Sequence, residues 1–497
     1  MDILTKSKYV DYMACLNRAW LDKNLREEKI EEDLSNNPFV QGGIEAGVIA
    51  RNLFGNFELV DNDDSEEALA RTRILVNNGI EVICEATFQY ENNLCKVDIL
   101  KKNEDDSYSI YEVKATTDPY KGSRLKLNKK YIDDISFQYF VCTKSGLNIK
   151  DCYIVYINSN YIYEGEYDLQ LFKIDNVTAF ILTQYPYIED DIAKINNIIN
   201  QVKEPDIYLS SKKCTDCPYR KHCYKVKNIP EVNSVLDLYR DVKKYYYANK
   251  GILTFEDLKN NDIELSDFNK KMVDSRLDNL PPYVDKEKMS KFFRDFEYPI
   301  YFLDFETYQT AVPKVMGTRP YQQIPFQYSL HILYSDGTLE HKAFLSQDYI
   351  DPRRDFINHM IPDLRTEGTI VAYNSSFEVS RITELSRDFP EYSNELLALT
   401  NRFVDLMIPF SSSMYYQKEM SRTSIKDVLP ALFPNEPELD YSNLTDVHKG
   451  DEASAAFLKL PTLSEYDRNK LRYSLLKYCE LDTFAMVKIY NYLIDLI

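Results

Sequence analysis

Two sets of acidic residues, far apart in the chain, have the types and spacing that hold divalent cations. The first is Glu85, Asp98 and Glu112, with Lys114 two residues after the last glutamate. Asp98 lies in the run KVDIL, and Glu112 and Lys114 lie in YEVKA. Residues two apart in a strand face the same side, so Glu112 and Lys114 point together. An aspartate followed one hairpin later by Glu-x-Lys suits metal-assisted phosphodiester hydrolysis. Carboxylate oxygens take Mg2+ or Mn2+, the ion polarises the phosphate and acidifies the attacking water, and the lysine steadies the developing negative charge. Glu85, one strand earlier, is a further ligand candidate. The plain alternative is an exposed strand face with alternating charges. The apolar flanks Val97, Ile99, Tyr111 and Val113 argue instead for strands whose other face is buried.

The second set is Asp304, Glu306, Glu378 and Asp482. FLDFETY puts Asp304 and Glu306 on one face of a strand, with Leu303 and Phe305 turned into the sheet. AYNSSFE puts Asn374 and Glu378 at a strand-to-helix junction. LKYCELDTFAM puts Tyr478 and Asp482 four apart, on one helix face. Four carboxylates from separate segments repel one another unless cations neutralise them. Two divalent ions would do so and support in-line phosphoryl displacement, with Tyr478 orienting the attacking water or helping to deprotonate it. The alternative is an acid-rich chain scattering its carboxylates.

Nine cysteines are present. Cys84, Cys95, Cys142, Cys152 and Cys479 stand singly in apolar or mixed segments and read as small core residues. KCTDCPYRKHCY, by contrast, sets Cys214, Cys217 and Cys223 in a C-x2-C-x5-C pattern, and Cys15 lies far upstream in YMACLNRAW. Sulfur ligation suits zinc or an iron–sulfur cluster. Zinc ribbons show two CxxC knuckles and this chain has one, so three clustered cysteines plus a distant fourth fit a [4Fe–4S] cluster better, with Zn2+ as the alternative. Such a group closes a very long loop, and its affinity becomes folding free energy.

Taken together, Cys15 followed by Trp20, Asp98, Glu112-x-Lys114, Gln138 in SFQYF and the closing cysteine triplet resemble the RecB-like nucleases of the PD-(D/E)XK superfamily. The nearest subtype is the iron–sulfur one of CRISPR-associated exonucleases and AddB-type proteins. The resemblance covers most of residues 1–225. It implies Asp98 and Glu112 as metal ligands, Lys114 as catalytic, and Gln138 as a helix residue completing the site. Two positions depart from that pattern. QGGIEAGVIARNLF offers Glu45 where the family has an early metal-binding histidine, and Cys142 stands where a tyrosine follows the glutamine.

The second set is similar to the DEDD exonucleases of the RNase H-like fold. The match is D-x-E at Asp304 and Glu306, Asn374 with Phe377 and Glu378, and Y-x3-D at Tyr478 and Asp482. Asp405 resembles an accessory acid of that fold. Glu378 replaces the usual aspartate. YPIYFLDFETY, RPYQQIPFQYSLH, NSSFE, TSIKDVLPAL and YCELDTFAMV resemble a bacterial family of unknown function that joins both units in one chain.

The elements that must carry these residues can be read from periodicity. Helical patterning runs to Asn52. The strands EVICEATFQY, LCKVDILKK and YSIYEVKAT follow, then a helix over 131–145 and the strand CYIVYIN. Residues 226–295 read as a helical connector, with helices over 234–251 and in MSKFFRDFEY and a capped start at Thr254. Residues 296–497 open on three strands, with a hairpin turn at Ser335, Asp336 and Gly337. They continue through the strand GTIVAYN into a helix and close on a helix over 464–496. The fold class is therefore α/β, with domains at 1–225 and 296–497.

The net charge of −19 excludes coating of nucleic acid by a uniformly basic surface. Two local basic runs remain: Lys121, Arg124, Lys126, Lys129 and Lys130, placed just after Lys114 where a phosphate track is useful, and Lys212, Lys213, Arg220, Lys221, Lys225 and Lys227 around the cysteines. Asn374 joins the first run as a nucleic-acid-binding candidate. Each run has a solvated face as its plain alternative. No phosphate loop, dinucleotide fingerprint, signal-peptide pattern or membrane-length apolar run is present, so a cytoplasmic protein is expected. The chemistry points to a nuclease acting on DNA, single-stranded or at duplex ends, with RNA as the other candidate, through two nuclease-type sites: an endo- or exonucleolytic one in the first domain and a 3′→5′ exonuclease-like one in the last. The competing readings are a non-catalytic nucleic-acid-binding protein and a redox-sensing regulator.

Overall fold

The computed structural model describes residues 3–31, 37–62, 64–122 and 126–497, the side chain of Lys212 excepted. Arg124 lies outside the described residues. The chain is mixed α/β and divides into two units, 1–228 with 310–321, and 229–309 with 322–497. Residues 229–295, read as a helical connector, group with the second unit, and 310–321 group with the first. No helix among the described residues is long and apolar enough to cross a membrane.

In the first unit the central sheet runs β1 (Val82–Tyr90), β2 (Asn93–Lys102), β3 (Tyr108–Lys114), β4 (Ile149–Ile157) and β5 (Phe172–Asn176). The first three form an antiparallel meander, β4 joins β3 in parallel, and β5 closes antiparallel. Helices α1 (Lys6–Ala14) and α2 (Leu16–Asn24) precede the sheet. Helix α3 (Lys129–Lys144) makes the crossover that a parallel pair requires. Side chains alternate across the sheet. Ile83, Val97, Ile110 and Ile154 enter the core with Phe137 and Val141 of α3, while Val82, Cys84, Ile99, Tyr111 and Val155 enter a second core with Ala46 and Ala50. Because α3 packs against this sheet, its polar residues Asp133, Asp134 and Gln138 are buried as well. The helix α4 (Arg220–Val226) carries Cys223.

In the second unit the sheet order is β8 (Leu339–Leu345), β7 (Ile324–Leu333), β6 (Ile300–Tyr308), β9 (Ile370–Ala372), β10 (Phe403–Asp405). β6, β7 and β8 are antiparallel, and β9 and β10 add in parallel. Three helices carry side chains of the second acidic set or its neighbours: α5 (Ser376–Asp388), α6 (Ile425–Leu432) and α7 (Glu465–Asp495). The capped start at Thr254 is present, with Thr254 accepting from Asp257 N–H at 3.0 Å and Asp257 accepting from Thr254 N–H at 2.9 Å. The helix expected over 234–251 is broken into a 3-10 turn, Val235–Asp237, and a short helix, Lys244–Asn249. At the break Arg240 takes a left-handed backbone (φ 51°), which a helix cannot contain, and the buried Asn269 side chain meets Tyr239. Asn269 accepts from Tyr239 N–H at 2.8 Å and donates to Tyr239 O at 3.1 Å, satisfying in the turn the Tyr239 groups a helix would have paired.

Candidate metal centres

The first acidic set meets where β2, β3, α1 and α3 converge. Asp98, on β2, accepts from Val113 N–H at 2.8 Å, which fixes it beside β3. Glu112 is almost fully buried and is gripped on all sides. Lys114 Nζ lies 2.6 Å from its Oε1, and Gln138 Nε2 donates to its Oε2 at 2.7 Å. Lys114 also donates to Asp134 Oδ2 at 2.7 Å, and Gln138 to Asp134 Oδ1 at 3.0 Å. One residue unforeseen in the sequence joins them. Lys6, the first residue of α1, places Nζ 3.1 and 3.2 Å from the Glu112 oxygens and 3.4 Å from Asp98 Oδ1. Nothing in the local sequence around Lys6 signals this, because the contact spans ninety residues or more.

The electrostatics follow from that packing. Burial and the neighbouring Glu112 push Asp98 up to about 7, against the pull of Lys6 and Lys114. Burial also opposes ionisation of Glu112, but Lys114 and Lys6 outweigh it and hold Glu112 down at about 2. Both lysines, despite burial, are held as ammonium ions by the surrounding carboxylates. Glu85 does not join the set. It stands across from Asp98, between the pairs Cys84–Ile99 and Ala86–Val97, but its left-handed backbone (φ 58°) accompanies a side chain paired with Arg51 at 3.2 Å. Glu45, at the place of the expected histidine, pairs with Lys314 at 3.3 Å.

In the basic run after Lys114, Lys121, Lys126, Lys129 and Lys130 are exposed. Lys121 and Lys126 face each other across a two-residue ladder. Lys129 pairs with Asp133 at 2.6 Å, and Lys130 lies 4.8 Å over the Tyr131 ring.

Cys15, Cys214, Cys217 and Cys223 line one cavity, with Arg18, Lys213 and Arg220 beside them. Cys15 sits in extended backbone between α1 and α2, so the break between the helices presents its thiol. The two ends of the unit are tied together here. Trp20 Nε1 donates to Gln201 O at 2.9 Å, Tyr219 Oη to Asp22 Oδ1 at 2.7 Å, and Asn17 Nδ2 to Pro205 O at 3.1 Å. Burial and the neighbouring thiols raise Cys214 and Cys217, and push Cys223 to about 12. The remaining cysteines behave as core residues with one exception. Cys142 is buried with Sγ 4.0 Å from Cys95 Sγ. Cys479, expected to be a plain core residue, instead directs its thiol at Asp304 Oδ2, 3.6 Å away.

The second acidic set gathers at the middle of the second sheet. Asp304 and Glu306 project from β6 opposite Ser329 and Gln327. Asp304, Glu306 and Cys479 bring ligand atoms within 4.8 Å of one another. Helix α7 is fixed against the sheet by Gln327 Nε2 donating to Leu475 O at 2.8 Å, and by the Thr483 hydroxyl, 2.8 Å from both Ser329 Oγ and His331 Nδ1. That register turns Tyr478 and Asp482 toward the acids. Glu378 comes from the first turn of α5. The turn before it holds Asn374 in a left-handed conformation (φ 70°), pinned by Asp405, whose Oδ1 accepts from Asn374 N–H and Met407 N–H, both at 2.9 Å. Asn374 itself is exposed.

These four carboxylates are poorly compensated. Burial, then Asp482, Glu306 and Glu378, push Asp304 well above the usual carboxylate range; burial and Asp482 do the same to Glu306. Burial raises Asp482 to about 6 and, with Asp405, Glu378 to about 8. Glu378 Oε2 is buried with no hydrogen-bond partner. Two neighbours were not foreseen. Tyr441 Oη donates to Asp482 Oδ1 at 2.5 Å, and Lys426 Nζ, on α6, donates to Tyr478 Oη at 3.3 Å and to His448 O at 2.8 Å. Lys426 is the cation that draws Glu306 and Asp482 downward among the described residues. Arg381, the cation near Glu378, is already paired with Glu384 at 2.6 Å. Burial and the nearby carboxylates raise the Tyr478 hydroxyl far above its ordinary value, so it stays a phenol.

A family model described as a domain of unknown function (DUF2779) matches residues 301–424, which contain Asp304, Glu306, Asn374, Glu378 and Asp405. An uncharacterized protein of Mycoplasma genitalium is 27% identical over 216 residues, 40% of this chain and 32% of that protein. An uncharacterized homolog in Mycoplasma pneumoniae is 30% identical over 222 residues, 40% of this chain and 33% of its own length. The chain thus spans about a third of the length of the curated relatives it matches.

Proposed function

We propose that this protein is a metal-dependent nuclease that hydrolyses phosphodiester bonds of DNA, with RNA as the alternative substrate, and that its reaction centre is the acidic set of the second unit. One observation carries the reading: four buried or half-buried carboxylates converge, a single lysine offsets two of them, and one buried oxygen, Glu378 Oε2, has no partner. Buried like charges are costly, and cations are the ordinary remedy. Asp304, Glu306, Glu378 and Asp482 would hold Mg2+ or Mn2+, by oxygen, as hard cations require. Cys479, a neutral thiol, serves as a donor to Asp304 rather than as a ligand. When bound, the ions supply Lewis acidity toward the phosphate and a nucleophilic water. The chain's own groups do the positioning. Tyr478, on the same helix face as Asp482, would orient the attacking water or help to deprotonate it. Lys426 anchors Tyr478, and Asp405 holds the turn that presents Glu378. The sheet order, three antiparallel strands followed by two parallel additions, supports the RNase H-like reading and with it a 3′→5′ exonuclease-like centre.

The four cysteines would hold an iron–sulfur cluster. Cys15, Cys214, Cys217 and Cys223 line one cavity, which supports a shared sulfur-bound group. One CxxC knuckle with a third cysteine close by and a distant fourth favours a [4Fe–4S] cluster, with Zn2+ as the alternative. The meander-and-crossover sheet of the first unit, with Glu112, Lys114 and Gln138 in contact, supports the PD-(D/E)XK reading of its fold. For that unit's chemistry, the pairing of Glu45 with Lys314 and of Glu85 with Arg51 removes two candidate metal ligands and favours a non-catalytic role.

The test is incubation of labelled single- and double-stranded DNA and RNA with Mg2+ or Mn2+, using wild type, Asp304→Ala and Lys114→Ala in parallel. Cleavage by wild type and Lys114→Ala, lost in Asp304→Ala, is the expected result. Loss in Lys114→Ala with retention in Asp304→Ala would move the reaction to the first unit. Binding without cleavage by wild type would leave only the binding reading.

A further inference from the structure

The two acidic sets differ in how their charge is met. In the second unit Lys426 offsets two of four carboxylates. In the first, every acid near the expected site already has a protein cation: Asp98 has Lys6, Glu112 has Lys6 and Lys114, Asp134 has Lys114, Glu85 has Arg51 and Glu45 has Lys314. The placement of Lys6 matters most. Its ammonium touches both Asp98 and Glu112, at 3.4, 3.1 and 3.2 Å, which are the two carboxylates a divalent ion would have to bridge. The N-terminus of α1 and the short parallel ladder of Leu4–Thr5 with Asn93–Leu94 hold it there. A divalent ion between the same oxygens would meet an ammonium a few ångströms away, in a place where repulsion is weakly screened.

We propose that Lys6 holds the cation position of the first acidic set, so that Asp98 and Glu112 stay compensated without a resident divalent ion and the metal-dependent step belongs to the second unit. The last clause rests on the proposed nuclease function; the first stands without it. Asp98 and Glu112 are then structural anchors joining α1, β2 and β3, and Lys114 and Gln138 complete that network rather than a hydrolytic site.

The experiment counts Mn2+ ions bound to the full chain by electron paramagnetic resonance, with Asp304→Asn and Asp482→Asn present to silence the second set. With Lys6 intact, this protein should bind no Mn2+ that depends on Asp98. Adding Lys6→Met, or Lys6→Gln, should raise Mn2+ affinity at the first set at least tenfold, and Asp98→Asn should abolish the gain. An ion bound with Lys6 intact and released by Asp98→Asn overturns the proposal, and this arm does not depend on the folding of any Lys6 variant. Failure of folded Lys6→Met and Lys6→Gln to gain an ion overturns it equally. Titration of the chain with its second set intact reports separately on the nuclease function, through ions lost on Asp304→Asn.

Discussion

Glu378 offers a stability experiment whose sign depends on whether the second acidic set is built for cations. The side chain is 3% exposed, and burial followed by Asp405 raises its pKa from 4.5 to about 8. The unfolded chain gives up this proton near pH 4.5 and the folded chain keeps it to about 8. The folded state therefore binds more protons between those values. The stabilising contribution is complete below pH 4.5 and is lost as pH rises toward 8. By pH 7 the loss amounts to about 3 kcal/mol. Glu378→Gln keeps the shape and removes the titration. In chelator at pH 7 the variant should be more stable than wild type by that amount, about 6–12 °C in the transition of a unit this size. Mg2+ should narrow or reverse the gap, because an ion bound only by the folded carboxylates stabilises wild type by mass action. Differential scanning calorimetry with EDTA and then with Mg2+ reads both effects. A variant no more stable than wild type in EDTA, or equal Mg2+ stabilisation of both proteins, would refute the reasoning.

Other outcomes rest on the same physics. Cys217→Ser should abolish absorption near 400 nm in anaerobically purified protein and lower the stability of the first unit, whereas iron absent from wild type by elemental analysis would count against the cluster. His331, buried and stacked 4.4 Å from His341, is pushed down to about 4 by burial and by that neighbour. Its unfolded form takes a proton near 6.5, so its contribution is complete above that pH and about 3 kcal/mol is lost as pH falls from 6.5 to 4; urea titrations across that range should show the loss in wild type and its absence in His331→Gln. Thr254→Ala should cost about 1 kcal/mol in the second unit through its capping box, read as a lower urea midpoint.

Local pattern carried the sequence reading a long way. Apolar runs bounded by polar turns placed the strands bearing Asp98, Glu112, Asp304 and Glu306 to within a residue or two, because these strands are largely buried. Four-residue spacing set Tyr478 and Asp482 on one face of α7, and Thr254 was visible as a cap because capping is local. What escaped depends on partners distant in sequence. Lys6 reaches its carboxylates through a ladder that no periodicity announces. Tyr441 reaches the second set from a segment of ordinary composition, and Lys426 from TSIKDVLPAL, where nothing in the local pattern marks the lysine itself. Cys479 was within sight, three residues before Asp482, but its thiol faces Asp304, a residue 175 positions away. The helix read over 234–251 failed for a related reason, since Asn269 supplied the backbone partners that a helix would otherwise have given.

The most direct measurement is anomalous diffraction from crystals grown with Mn2+. Density peaks among Asp304, Glu306, Glu378 and Asp482, with none between Asp98 and Glu112, are the expected result. Peaks confined to the Asp98 and Glu112 side, or none at either set at saturating Mn2+, would contradict the assignment of a divalent-cation centre to the second unit.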